Sequence, residues 1–215
     1  ETFGRVNKLV CCAGVTFIGS LENTEYNTFM REISINLCGD SWIGYFSPRD
    51  NKWNEASNTT TFFFSEGWVN LMYEYAITNI FAPWIQLKNI NMSGENPNKE
   101  MYAIAQISKI MGLHRSTDKF GPIPYKQVGN GSFTVEYDSQ ESVYRSFFEE
   151  LDEAVTVLYD FYMKANNTVP MASDVVYEGD VTKWIRLANS LMLRLAIRVR
   201  YADEVLARTY LISIA

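Results

Sequence analysis

From Asp138 to Tyr162 the sequence runs DSQESVYRSFFEELDEAVTVLYDFY. Its apolar residues Val143, Tyr144, Phe147, Leu151, Ala154, Val155, Leu158 and Tyr162 recur three and four apart, the spacing that lays them on one face of an α-helix. Glu149, Glu150, Asp152 and Glu153 fall opposite and read as a solvated face. Asp138 stands three residues before Glu141, as in a capping box, so the helix is expected to open there. A helix this one-sided needs a second apolar surface to lie against, and its neighbours in sequence offer one.

Upstream, residues 99–116 read as a helix in which Ala103, Ala105, Ser108 and Gly112 alternate with Ile104, Ile107, Ile110 and Met111, a pattern suited to close helix packing. Gly121-Pro122-Ile123-Pro124 should end it, because proline fixes φ and removes a donor. Before it, residues 65–91 keep helical register through Trp68, Leu71, Met72, Tyr75, Ile80 and Trp84, with Pro83 expected to interrupt the helix. Downstream, Gly179 suits a turn conformation and Asp180 a helix cap, leading into a helix that buries Trp184, Leu187, Ala188, Leu191, Leu195 and Val199. Arg194 and Arg198, one turn apart, are placed to pair with carboxylates, and Asn189 and Ser190 to bond neighbouring backbone or another helix. A weaker element over residues 202–215 ends without a cap, which reads as a truncated chain. Two helices broken near Gly19 and Ser20 are expected over the first 38 residues. The fold class is therefore mostly α, with helical hairpins in series of a tetratricopeptide-like kind, although the period is uneven and the usual repeat consensus is missing.

Composition narrows the partners. A formal net charge of −6 and the lack of a dense basic patch argue against nucleic acid. Cys11, Cys12 and Cys38 form neither a disulfide framework nor a zinc pattern. No metal or cofactor is expected. No run is long and apolar enough to span a bilayer.

Chemistry-bearing motifs are scarce. The sequence holds no nucleophile elbow, phosphate-cradling glycine loop or metal-ligand spacing, and the one histidine, His114, is expected at a helix end as a surface or capping residue. The plentiful carboxylates leave a glycosidase pair to spatial arrangement rather than spacing. Aromatic residues, at 14%, are enriched, and residues 39–61 crowd several into a polar loop. Trp42, Tyr45 and Trp53 stand there beside Asn51 and Asn54, a mixture that stacks on the CH faces of a sugar and hydrogen-bonds its hydroxyls. The same rings also suit anchoring the loop to the helices, and Phe46 is expected to be buried.

Three segments resemble the SusD/RagB-like family of Bacteroidetes. One is residues 107–128, with Phe120-Gly121-Pro122-Ile123-Pro124-Tyr125 after a helix. Another is Tyr137-Asp138-Ser139-Gln140-Glu141-Ser142-Val143-Tyr144 followed by Glu150-Leu151-Asp152-Glu153-Ala154. The third is residues 174–198, with Tyr177, Gly179-Asp180, Lys183-Trp184 and Ala188-Asn189-Ser190-Leu191. They occur in the family's order, and the resemblance covers residues 65–200. It implies a helical domain over residues 1–215, with N-terminal helices and the aromatic loop over 1–61 and tetratricopeptide-like helix pairs over 62–215. It also implies an outer-membrane, cell-surface location through an N-terminal lipid anchor that this chain does not include. The implied role is capture of oligosaccharides or polysaccharides, or in some branches peptides, for a SusC-like TonB-dependent transporter, without catalysis. The alternative is a helical module that binds peptide or protein and has no small ligand. Exposed rings at Trp42, Tyr45 and Trp53 would favour glycan, and buried rings beside an exposed apolar groove would favour that module.

Overall fold

In the computed structural model the chain falls into two compact units, residues 1–79 and 80–215. The structure describes residues 70, 73–74, 77–92, 97–164, 167–170 and 174–214. The second unit is helical throughout, without a named strand among the described residues. Its elements are α1 (Ala82–Met92), α2 (Lys99–Phe120), α3 (Gln140–Met163), α4 (Val181–Val199) and α5 (Glu204–Ile214).

The interruption expected at Pro83 is present. A π-helical turn, Ile77–Phe81, runs into α1, and Pro83 is the second residue of the new helix. Proline has no N–H to give the carbonyl four residues back, so the ladder widens before it and restarts. Asn98 opens α2 by accepting the Met101 N–H at 2.8 Å. The helix runs one turn past Ser116, to Phe120, where Gly121 adopts φ +75° and its N–H closes on the Thr117 carbonyl at 2.8 Å.

The opening of α3 departs from the capping box expected there. Ser139 is the cap and accepts the Ser142 N–H, while Glu141 bonds Arg145 one turn on. Asp138 serves the preceding loop instead. Its carboxylate accepts the N–H groups of Tyr125 and Lys126, at 3.2 and 2.8 Å, and its backbone exchanges two hydrogen bonds with Ile123. These longer-range donors satisfy the carboxylate better than the first turn of its own helix would.

Helices α2 and α3 are antiparallel neighbours. Asp118 meets Tyr144 near one end, and Lys109 meets Glu150 nearer the middle. Likewise α4 returns along α3, since Arg198 near its end reaches Asp118 beside Tyr144. Contacts run from α1 to α2, α2 to α3, α3 to α4 and α4 to α5, with α2 also touching α4, so the layout is a tetratricopeptide-like series of helix pairs. Phe147, Phe148, Leu151, Leu158 and Leu195 are fully buried between them. Each such side chain stabilises the fold by about 1.5–3 kcal/mol. Phe148 was not part of the apolar face read from sequence; it points off that stripe and stacks on Tyr210 of α5, ring centres 4.3 Å apart. Tyr162, expected on the buried face, is exposed near the end of α3.

The connection into α4 is tied by Asp174. Its carboxylate accepts the N–H groups of Val176, Tyr177 and Gly179 and the Trp184 indole N–H, all at 2.7–3.1 Å. Burial alone would raise its pKa, but these donors outweigh it and hold the group below the ordinary carboxylate range. Asp180 caps α4 as expected, accepting the Thr182 hydroxyl and the N–H groups of Thr182 and Lys183; the Thr182 hydroxyl bond leads in drawing its pKa down to about 2. Gly179, at φ +79°, approaches Val169 so closely that a Cβ would overlap its carbonyl oxygen. Gly179→Ala should therefore cost about 3 kcal/mol in denaturant unfolding, combining left-handed strain with a backbone clash. Gly121→Ala, with a similar φ and open space around it, should cost only about 1 kcal/mol.

Candidate functional site

Helix α2 buries Gln106, Lys109, His114, Ser116 and Thr117, and polar groups so placed generally take partners inside the protein. Lys109 is the strongest case, with 2% of its side chain exposed. Its Nζ lies 2.7 Å from Glu150 Oε2 on α3, 4.1 Å from the Trp84 ring centre on α1 and 4.6 Å from the Tyr125 ring centre in the α2–α3 loop. The Tyr125 hydroxyl donates to the same Oε2 at 2.5 Å, and the Trp84 indole N–H donates to Gln106 Oε1 at 2.5 Å. Two ring faces and a carboxylate thus replace the water that the ammonium loses.

The electrostatics follow. Burial lowers the Lys109 pKa, against the pull of Glu150. Burial, with Glu150 adding, pushes the Tyr125 hydroxyl well above its ordinary value, so it remains a donor. Tyr102, nearby on α2, is pushed up to about 12 by burial and then by Glu150 and Glu153. Glu150 is accordingly not part of a solvated face as expected from sequence. It turns inward because Lys109 and Tyr125 lie beneath it, whereas Glu149, Asp152 and Glu153 are exposed.

A second polar group gathers at the far end of α2. Asp118 accepts the Tyr144 hydroxyl at 2.5 Å and pairs with Arg198, the carboxylate partner that its sequence position suggested; Arg194 is exposed. Burial and the bond to Asp118 raise the Tyr144 pKa. His114 does not sit at a helix end as expected. Because α2 continues to Phe120, the imidazole is inside the helix body and buried. Its Nδ1 lies 3.2 and 2.9 Å from the Ile110 and Met111 carbonyl oxygens, which only accept, so Nδ1 carries the proton. Nε2 is left buried without a partner. Burial is the largest influence and lowers the His114 pKa; the Ile110 carbonyl opposes it, and the Arg194 charge lowers it further.

The aromatic-loop residues Trp42, Tyr45, Asn51, Trp53 and Asn54, with Phe46, lie outside the described residues, as do Cys11, Cys12 and Cys38. Among the described residues no cluster of His, Cys, Asp and Glu is arranged to hold a metal, and no helix is long and apolar enough to cross a membrane. Sequence reasoning did not single out Gln106, Lys109 or Tyr125 as interacting groups. Lys109 alone carried a signal, a cation set among the Ile104, Ile107 and Ile110 positions.

The sequence profile described as SusD-like, Susd and RagB outer membrane lipoprotein, matches residues 12–213. The chain belongs to the SusD-like family. Among solved structures it resembles a SusD homologue from Bacteroides vulgatus (TM-score 0.75, 28% identity, 94% of this chain and 40% of that one). It likewise resembles a chitin-binding SusD homologue from Flavobacterium johnsoniae (TM-score 0.72, 29% identity, 85% and 40%). A third, from Bacteroides uniformis, gives a TM-score of 0.70 at 33% identity over 85% of this chain and 38% of that one. The chain thus spans about 40% of the length of these SusD-like structures. No curated protein sequence matches it.

Removing either member of the buried ion pair should reveal their unequal surroundings. Glu150→Gln leaves the ammonium buried without its counter-charge and should cost about 3 kcal/mol in urea unfolding, whereas Lys109→Met, which leaves a partly exposed carboxylate, should cost roughly half as much. His114 gives a pH dependence of known sign. Its folded pKa lies below the unfolded value of about 6.5, so the unfolded chain binds more protons in that window and stability falls as pH drops through it. His114→Asn, whose Nδ2 can still reach the helix carbonyls, should flatten the change in unfolding midpoint between about pH 7.5 and about pH 5.5.

Proposed function

We propose that this SusD-like chain belongs to a cell-surface lipoprotein that captures glycans and delivers them to a SusC-like TonB-dependent transporter without breaking bonds. The observation that carries this reading is the family match over residues 12–213, joined to structural similarity with a homologue described as chitin-binding. An outer-membrane lipoprotein family supports the surface location through a lipid anchor. Capture would use the aromatic loop, where Trp42, Tyr45 and Trp53 supply stacking faces and Asn51 and Asn54 supply paired donors and acceptors. Such recognition fits a binding protein, because stacking and neutral hydrogen bonds hold a sugar without polarising its glycosidic bond.

Intrinsic tryptophan fluorescence, titrated with chitin oligosaccharides and a panel of plant and host polysaccharides, tests the proposal. A saturable change with at least one glycan is expected, weakened about tenfold or more by Trp42→Ala or Trp53→Ala, as loss of a stacking platform implies. A folded protein that responds to none of the glycans would overturn it.

A further inference from the structure

Between the first half of α2 and the middle of α3 the helices leave an open hollow of about 140 Å³, bordered by Lys99, Tyr102, Gln106, Glu150, Glu153 and Val157. Two of these polar residues are held from behind. Gln106 is 6% exposed, and its Oε1 accepts the Trp84 indole N–H. An indole nitrogen only donates, so the amide atom facing it is the oxygen and the amide cannot be turned over. The NH2 group is therefore directed away from Trp84, and among the described residues no hydrogen bond takes it up. Glu150 is held in the same way. Its Oε2 carries both Lys109 and the Tyr125 hydroxyl, while Oε1 carries neither.

The hollow is thus lined by an amide and a carboxylate that each have one polar atom already held by the helix core. Tyr102 adds an aromatic ring and a hydroxyl that keeps its proton well past neutrality. The charge around it is balanced: Lys109 neutralises Glu150, and Lys99 and Glu153 on the rim are of opposite sign. That balance disfavours an ammonium or a carboxylate ligand and suits a neutral polyol. Clefts that enclose drug-sized ligands hold roughly 300–1,000 Å³, so this one takes a single ring rather than a chain.

We propose that this hollow is a binding site for one neutral pyranose ring, in which Gln106 Nε2 donates to one sugar hydroxyl and Glu150 Oε1 accepts from its neighbour. Adjacent hydroxyls of a sugar need this donor beside this acceptor. The inference rests on the glycan-capture reading and adds to it a subsite, separate from the aromatic loop, for one residue of the captured glycan.

Saturation-transfer difference NMR on the intact chain, titrated with the methyl glycosides of glucose, galactose and N-acetylglucosamine, tests it. Saturable binding of at least one glycoside in the millimolar range is expected, about tenfold weaker in Gln106→Glu. Gln106→Glu still offers an oxygen to Trp84 but replaces the donor with a carboxylate. Should that variant fail to fold, Tyr102→Leu, on the half-buried rim, is expected to show the same loss. Wild-type protein that binds none of the three glycosides, or binding unaffected by the hollow variants, would overturn the subsite. Polysaccharide titration of the same samples separates the two readings. Polysaccharide binding without monosaccharide binding removes the subsite alone, and monosaccharide binding sensitive to Gln106→Glu without a polysaccharide response removes the loop site alone.

Discussion

Lys109 carries a positive charge into a helix interface where almost none of its side chain meets water. Burying a lone ammonium costs several kcal/mol even after the protein relaxes, so α2 can hold this position only if its neighbours supply the missing solvation. They do so from three directions. Glu150 gives the counter-charge from α3, Tyr125 a ring face from the connecting loop, and Trp84 a second ring face from α1. Each of those residues is then constrained in turn. The carboxylate sets the rotation of α3 against α2, and the Tyr125 hydroxyl, bonded to the same oxygen, pins the loop. Apolar residues of similar volume in place of both members of the pair would fill the space about as stably. What the charge adds is register, because apolar helix faces alone tolerate sliding and rotation that a buried ion pair does not.

The apolar stripes of α3 and α4 were legible in sequence because helical periodicity is a statement about which residues avoid water. Gly179 and Asp180 were legible for a different reason: a left-handed turn and a helix cap are local demands, met by few residue types. Asp138 and Glu150 depart from expectation for one cause, the choice a polar side chain makes between a nearby partner and a distant one. Asp138 has the spacing of a capping residue, yet the loop N–H groups of Tyr125 and Lys126 take its carboxylate, and Ser139 caps instead. Glu150 stands among the exposed carboxylates Glu149, Asp152 and Glu153 and differs from them in facing Lys109, which lies 41 residues away in sequence. Periodicity records the positions of apolar residues and says nothing about such encounters. His114 lies inside the helix body because α2 continues one turn beyond Ser116, and one turn separates a fraying terminus from a buried helix interior. The aromatic-loop reading rests on composition, and its residues lie outside those described.

Polar groups divided between core and surface give the helical unit a property that neither an apolar core nor a solvated face has. A side chain on a flexible surface must be ordered when a ligand arrives, at a cost of about 0.5–1.5 kcal/mol for each rotamer-rich group. Gln106 and Glu150 have met that cost in folding, since the Trp84 indole fixes one and Lys109 with Tyr125 fixes the other. The uncommitted half of each group therefore has a direction before any ligand is present. Weak, neutral ligands such as sugars gain most from this arrangement, because their hydrogen bonds replace equally good ones to water and leave little net free energy to spend on ordering. The ion pair that sets the register of α2 and α3 is, on this argument, also what would let a shallow hollow between them bind at all.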